Sequence, residues 1–157
     1  MRTELDTIDR KILRALQADG RITVTELAEA VNLSKTPCTE RMRRLEREGY
    51  VSGYRAQLDP QMLGLSVTVF VQVVLERTVT CVLDRFGKEV TRIPEVEAAH
   101  MIAGGFDYLL KVRARDMAHY RKVLGDRIGM LPGVSQTHTF AVMETVKENA
   151  GIDPALI

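Results

Sequence analysis

The sequence predicts an α+β protein in two parts: a three-helix module over about the first fifty residues, then a module of βαββαβ order. Three observations predict it. Apolar residues recur at helical spacing up to about Glu48 and at alternate positions from Val67 onward. Between these stretches, Gln57 to Leu65 holds Asp59-Pro60 and Gly64 without periodicity and reads as a linker. The expected organisation is therefore a helical domain with a wing over 1–56, a linker over 57–65, an α/β sandwich over 66–147 and a C-terminal tail over 148–157.

Asp6 stands where it caps a first helix whose apolar face is Ile8, Ile12, Leu13 and Leu16, and Asp19-Gly20 ends that helix. Thr23, followed three residues later by Glu26, is a capping box opening a second helix with Leu27, Ala28 and Val31 as its stripe. Asn32-Leu33 is a tight turn. Ser34 is an N-cap, and Pro37 falls in the first turn, where a missing N–H costs little. The third helix runs to about Glu48 with Gly49 as its stop, and its inward stripe is Cys38, Met42 and Leu45. Two short helices joined by a tight turn, the second rich in arginine, form the helix-turn-helix pattern. Tyr50-Val51 and Tyr54-Arg55-Ala56, around Gly53, read as a short strand or wing, which makes the first domain a winged helix-turn-helix.

In the second part, Val67, Val69, Val71, Val73 and Leu75 place one wholly apolar face on a strand. Val82, Phe86 and Val90, with Leu83 and Ile93, recur at helical spacing. Val96 to Ile102 and Phe106 to Val112 read as the next two strands, joined by a turn at Gly104-Gly105. Met117, Tyr120, Leu124, Ile128 and Leu131 mark a second helix, and Val134 to Val146 a fourth strand. This order is the ferredoxin-like split unit. An echo supports two related halves: Ile93-Pro94-x-Val96-x-x-x-His100 recurs 38 residues later as Leu131-Pro132-x-Val134-x-x-x-His138.

Composition narrows the function classes. With 157 residues, 45% hydrophobic and 27% charged, the chain is apolar enough for packed cores and unlike a disordered one. Its most apolar run, Val69 to Leu75, is seven residues broken by Gln72, far short of the roughly 20 that span a bilayer. The acidic start, Met1 to Asp6, has no apolar stretch behind it, so no secretory signal and a cytoplasmic location are expected. Cys38 and Cys81 lie 43 residues apart without a CxxC, which excludes a disulfide framework and a Cys-based zinc module. The formal net charge of +1 is low for a nucleic-acid binder, so its distribution decides.

That distribution favours the third helix. Residues 34 to 56 carry six basic side chains (Lys35, Arg41, Arg43, Arg44, Arg47, Arg55) against three acidic ones (Glu40, Glu46, Glu48). With Cys38, Met42 and Leu45 inward, Thr36, Glu40, Arg43 and Arg47 face outward, with Arg44 on the flank. Arginine forks suit both guanine O6/N7 and phosphate, and the N-terminus bearing Ser34 and Thr36 presents free N–H groups to a phosphate. The plainer alternative is a solvated helix with i,i+4 pairs such as Glu40–Arg44; a capped helix and tight turn in front favour DNA. The candidate DNA set is Ser34, Lys35, Thr36, Pro37, Thr39, Glu40, Arg41, Arg43, Arg44 and Arg47.

In the second part, Met101-Ile102-Ala103-Gly104-Gly105-Phe106-Asp107-Tyr108 stands out. Adjacent glycines permit a tight turn or close approach of a ligand. Asp107 then either accepts an amino-acid ammonium or caps the hairpin turn, and residue types alone favour the cap. His100 and His138 are too isolated for a metal site, His119 reads as a helix-surface residue and Met117 as core. No nucleophile, base and orienting group assemble, so no enzyme and no cofactor are expected.

These residues resemble a known family. Asp6-x-x-Asp9-Arg10-x-Ile12-Leu13, Asp19-Gly20-Arg21-Ile22 and Leu33-Ser34-x-Thr36-Pro37-Cys38-x-x-Arg41-x-Arg43-Arg44-Leu45-Glu46-x-x-Gly49 resemble the DNA-binding half of Lrp/AsnC regulators. Gly104-x-Phe106-Asp107-Tyr108-Leu109-Leu110-Lys111, Asp116-Met117-x-x-Tyr120-Arg121-Lys122 and Leu131-Pro132-Gly133-Val134 resemble their ligand-sensing module. The resemblance covers nearly the whole chain and is closest to the leucine-responsive branch. It implies a bacterial, nucleoid-associated transcription regulator that binds double-stranded DNA. It also implies pairing into homodimers that assemble to tetramers or octamers, and a response to a small amino acid of leucine or proline type bound between dimers. The response positions carried over are Met101, Gly104, Asp107, Met117, Phe140, Ala141 and Val142, with Ala103, Thr137 and Thr139 as further effector candidates. Gly105 stands where the leucine-responsive branch usually has Asp, and Phe140-Ala141 where it has Tyr-Val. The competing expectation is a ligand-sensing module that regulates an enzyme by protein contact; four arginines behind a capped helix start speak against it.

Overall fold

The computed structural model describes residues 4–148 and 151–156. The chain divides into two compact units, one of Met1–Gln57 with Lys147–Ile157, the other of Leu58–Val146.

The first unit is built on three helices whose ends follow the cap chemistry. Helix α1 spans Thr7–Ala18, α2 Val24–Ala30 and α3 Lys35–Arg47. Reciprocal capping boxes start the first two: Asp6 with Asp9, and Thr23 with Glu26. Each pairs backbone N–H groups that a helix start leaves without partners. Asn32 takes a positive φ of 56° in the turn between α2 and α3, and Gly49, at 79°, stops α3. Ile12, Leu16, Leu27, Ala28, Val31, Cys38 and Leu45 form the core. Met42, expected beside Cys38 and Leu45, packs on that core while half-buried.

Two expectations for this unit change. No strand forms between Tyr50 and Gln57. Tyr50 and Val51 spend their N–H groups on Leu45 O, closing the end of α3, and no extended neighbour pairs with the segment among the described residues. The segment expected as a separate tail belongs to this unit: residues 151–156 end in a 3₁₀ turn, Pro154–Leu156, that packs on α1. Arg14 meets Asp153 at 3.3 Å beside it. Residues 149, 150 and 157 of that segment, and 1–3 of the acidic start, lie outside the described residues.

The expected linker contains an ordered turn, because Asp59 Oδ1 accepts the N–H of Gln61 at 2.8 Å and Leu65 N–H reaches Pro60 O. The second unit then has β1 Val67–Leu75, α4 Thr80–Val90, β2 Val96–Met101, β3 Tyr108–Ala114, α5 Met117–Val123 and β4 Val134–Ala141. The antiparallel sheet has order β2-β3-β1-β4, the ferredoxin-like arrangement. Helices cover the face of Val69, Val71 and Val73, where Phe86 of α4 and Tyr108 stack with ring centroids 4.3 Å apart. The echoed motifs fall where two halves require: Ile93 and Leu131 are buried just before β2 and β4, the two edge strands.

Boundaries differ from expectation at several places: β2 ends at Met101, one residue early, and β3 at Ala114, two residues late. β3 starts two residues late, because Asp107 closes the preceding loop with its carbonyl on Ile102 N–H and its N–H on Val73 O. β4 ends at Ala141 instead of Val146: Val142 N–H still finds Thr68 O near the start of β1, and β1 itself begins one residue before that, at Val67. The second helix changes to a π-type turn over Leu124–Ile128, closed by Gly129 N–H on Leu124 O at 2.7 Å. No helix among the described residues is long and apolar enough to cross a membrane.

Candidate nucleic-acid interface and effector site

The outward face of α3 follows from its inward seam. Burying Cys38 and Leu45 turns Thr36, Glu40, Arg43 and Arg47 to solvent, with Ser34 and Lys35 exposed at the helix start. Ser34 occupies the N-cap position without a side-chain cap bond. Its hydroxyl and the side chains of Lys35, Thr36, Glu40, Arg43 and Arg47 engage no other group among the described residues. Pro37 and Thr39 are half-buried, and the Thr39 hydroxyl donates to Lys35 O at 2.8 Å. Pro37, Glu40 and four arginines line an open concavity of about 580 Å³ on this face.

Arg41 and Arg44, expected with the others, are turned back into the domain. Arg41 Nη1 donates to Asp6 Oδ2 at 2.6 Å and to Asp9 Oδ1 at 2.8 Å, and Arg44 Nη2 donates to Asp9 Oδ2. Asp9 is wholly buried. The N–H of Asp9, with the Arg41 guanidinium, holds the Asp6 carboxyl below its ordinary range, and the two carboxylates push Arg41 up. The Glu40–Arg44 pair of a plain solvated helix is therefore not what forms. The role of Asp9, which the sequence presents only as part of the family-like run Asp6-x-x-Asp9-Arg10, was not readable because its partners lie 32 and 35 residues away.

The effector candidates lie toward both ends of β1, and Thr137, paired with the Val73 whose carbonyl accepts the Asp107 N–H, stands at the Asp107 end. Met101 closes β2, 58% exposed, and Ala103, Gly104 and Asp107 lie in the loop before β3. The Asp107 carboxylate accepts Leu75 N–H at 2.7 Å, which extends the β1–β3 pairing by one bond. Most of the others gather where β3 ends. Met117, expected as core on residue type, is 50% exposed in the first turn of α5, because Tyr120 and Val123 occupy the inward positions. Thr139 meets the Tyr120 hydroxyl at 2.6 Å. Thr137, Thr139 and Ala141 pair with Val73, Val71 and Val69 and share their helix-covered face, whereas Phe140 lies opposite Phe70 on the other face. Val142 follows at the strand end. From Ala141, beside Val69, to Asp107, bonded at Leu75, is six residues of β1, or about 20 Å at roughly 3.3 Å per residue.

Comparison with known proteins decides the family. Residues 68–152 match the Lrp/AsnC ligand binding domain, and residues 5–52 match a winged helix-turn-helix DNA-binding model. The chain belongs to the Lrp/AsnC family of DNA-binding transcriptional regulators. It is 53% identical over 145 residues to the proline dehydrogenase transcriptional activator of Rhizobium radiobacter, covering 92% of this chain and 93% of that protein. It is 49% identical over 146 residues to the leucine-responsive regulatory protein of Escherichia coli K12, covering 93% and 89%. Among solved structures, a transcriptional regulator of Neisseria meningitidis in complex with L-Met superposes with TM-score 0.91 at 33% identity, over 95% of this chain and 96% of that one. The matched range 5–52 spans the three helices with Tyr50-Val51 and stops short of Tyr54-Arg55-Ala56.

Proposed function

We propose that this chain regulates genes of amino-acid metabolism by reading an operator with α3, and that a small amino acid held between copies of the chain changes its assembly or its grip on DNA. The observation that supports this most is the outward row of α3, exposed and uncommitted on a helix whose opposite side is sealed in the core. Thr36, Thr39, Glu40 and Arg43 stand nearest the base edges in this reading, with Ser34, Lys35 and Arg47 toward phosphates. A dimer reads two half-sites about one helical turn apart.

The effector is an α-amino acid with an uncharged side chain, of leucine or proline type; the leucine-responsive relative and the L-Met complex support an uncharged side chain, and the activator of proline dehydrogenase a link to amino-acid metabolism. Its ammonium pairs with Asp107. A ligand of that size cannot touch residues about 20 Å apart along one strand, so both candidate groups serve one site only where two copies meet. The sheet face away from the helices supports pairing, since it carries Phe70, Val74, Leu109 and Phe140 among polar neighbours. Assembly of dimers to tetramers or octamers, and action at the nucleoid in the cytoplasm, complete the proposal. The chain works by binding, not by catalysis.

Anisotropy titrations at several salt concentrations test the DNA half. The probes are a duplex enriched from a random pool by the wild-type protein and a scrambled duplex of equal length. Arg43→Ala is expected to weaken the enriched duplex by about 1 to 3 kcal/mol and largely spare the scrambled one. Lys35→Ala is expected to weaken both and to flatten the log–log salt slope by about 0.9. Equal wild-type affinity for the two duplexes removes the claim of specificity.

A further inference from the structure

Four arginines lie on α3, and the α3 surface and first turn of α1 treat them as two pairs. Arg43 and Arg47 are exposed and uncommitted, whereas Arg41 and Arg44 have side chains 29% and 25% exposed and converge on Asp9, itself 1% exposed. Asp6 adds a second carboxylate to Arg41. Arg44 Nε is buried and finds no acceptor among the described residues, so that edge of the fork faces protein and not solvent. A carboxylate taken wholly out of water is tolerated only with its charge compensated and its lone pairs occupied. Asp9 obtains this from both arginines and the Asp6 N–H. Releasing either guanidinium to a phosphate would leave that buried charge undercompensated.

We propose that Asp9 is a specificity-determining positioning residue, which withholds Arg41 and Arg44 from the DNA backbone so that the phosphate-contacting charge of α3 is smaller than its composition suggests. Phosphate contacts bind every sequence alike, and base contacts discriminate. By sequestering two cations, Asp9 lowers affinity for random DNA and leaves discrimination to Thr36, Glu40 and Arg43. The same two bonds fix the α3 backbone on α1, which sets where Arg43 stands.

This rests on α3 as the DNA-reading helix, and the experiment separates the two claims. Salt-dependent anisotropy titrations of the full chain are run on the enriched and scrambled duplexes for Arg41→Gln, Arg44→Gln, Asp9→Asn and Lys35→Ala. Arg41→Gln and Arg44→Gln are expected to leave the slope within about 0.3 of wild type on the scrambled duplex, while Lys35→Ala lowers it by about 0.9. Asp9→Asn, whose amide cannot hold two guanidinium groups, is expected to tighten the scrambled duplex about tenfold at low salt. Its slope should steepen by about 0.9 for the freed Arg44, and by up to about 1.8 where Arg41 also leaves Asp6, and the enriched-to-scrambled ratio should fall. A purely structural role moves melting temperature but none of these slopes. If Asp9→Asn does not fold, the two arginine variants decide alone. A drop of about 0.9 in either, alongside the drop in Lys35→Ala, overturns the withholding and leaves α3 as the DNA helix. No change in any of the four sinks both claims.

Discussion

Asp107 shows why a structural bond and a proposed ligand contact on one side chain are confounded by a single substitution. Its carboxylate accepts Leu75 N–H at 2.7 Å and is half-buried, and its main chain pins the loop on both sides. Alanine there removes the proposed ammonium partner and also leaves a backbone donor unpaired, a loss of about 1 to 3 kcal/mol. Asparagine keeps an acceptor oxygen for Leu75 while discarding the charge. Thermal melts are therefore expected to show Asp107→Ala several degrees below wild type and Asp107→Asn close to it, with calorimetric amino-acid binding lost in both. Retained binding in Asp107→Asn would exclude the carboxylate as the ammonium partner. Neither alternative open on residue type describes the bond that forms: the carboxylate accepts from Leu75 of β1 and not from the turn before it, and the ammonium role rests on the calorimetry. Such long-range bonds were not legible in sequence. Asp9 is the clearest case, since nothing nearby in the sequence announced Arg41 and Arg44 as its partners.

Elements were legible where their causes are local. The Asp6 cap, the Thr23–Glu26 capping box, the Asn32 turn, the Gly49 stop and the alternation of β1 depend on residues a few positions apart, and all stand where the spacing put them. The ends of β3 and β4 were not, because a strand stops where its partner stops, and Thr68 and Val73 are far away in sequence. The wing failed as a strand for the same reason. Capping also predicts how the first unit responds to acid. Asp6 is held below its ordinary value of 3.8, chiefly by the Asp9 N–H, and Glu26 below 4.5, chiefly by the Thr23 hydroxyl. Groups with depressed values contribute stability that is complete above those ordinary values and lost as pH falls through the lower folded ones. Far-UV circular dichroism during thermal melts between pH 6 and about 2 should show the first unit weakening below about pH 4. Asp6→Asn should start lower and flatten that decline. An Asp6→Asn decline as steep as wild type would mean that other carboxylates govern it.

At the scale of the whole molecule, a net charge of +1 averages two units with separate cores and different work. Residues 1–56 carry 11 basic and 9 acidic side chains, and residues 57–157 carry 11 and 12. If Asp6 and Asp9 also neutralise Arg41 and Arg44, one copy offers DNA only a few phosphate contacts, and useful affinity has to come from several copies on one duplex. The effector site leads to the same requirement by geometry. Its candidate residues occupy both ends of β1, about 20 Å apart, so a site that uses both groups exists only in an assembly. Ligand binding and association are then linked: each must strengthen or weaken the other by the same factor. A thermal-shift screen of the twenty amino acids, with and without the enriched duplex, identifies the effector. Titrations of that amino acid across a range of protein concentrations, alongside sedimentation velocity, are expected to show apparent affinity falling as the assembly dissociates on dilution. Binding of unchanged affinity to a chain that sediments as a monomer would place the whole site within one copy, and the residues at one end of β1 would have to be reassigned.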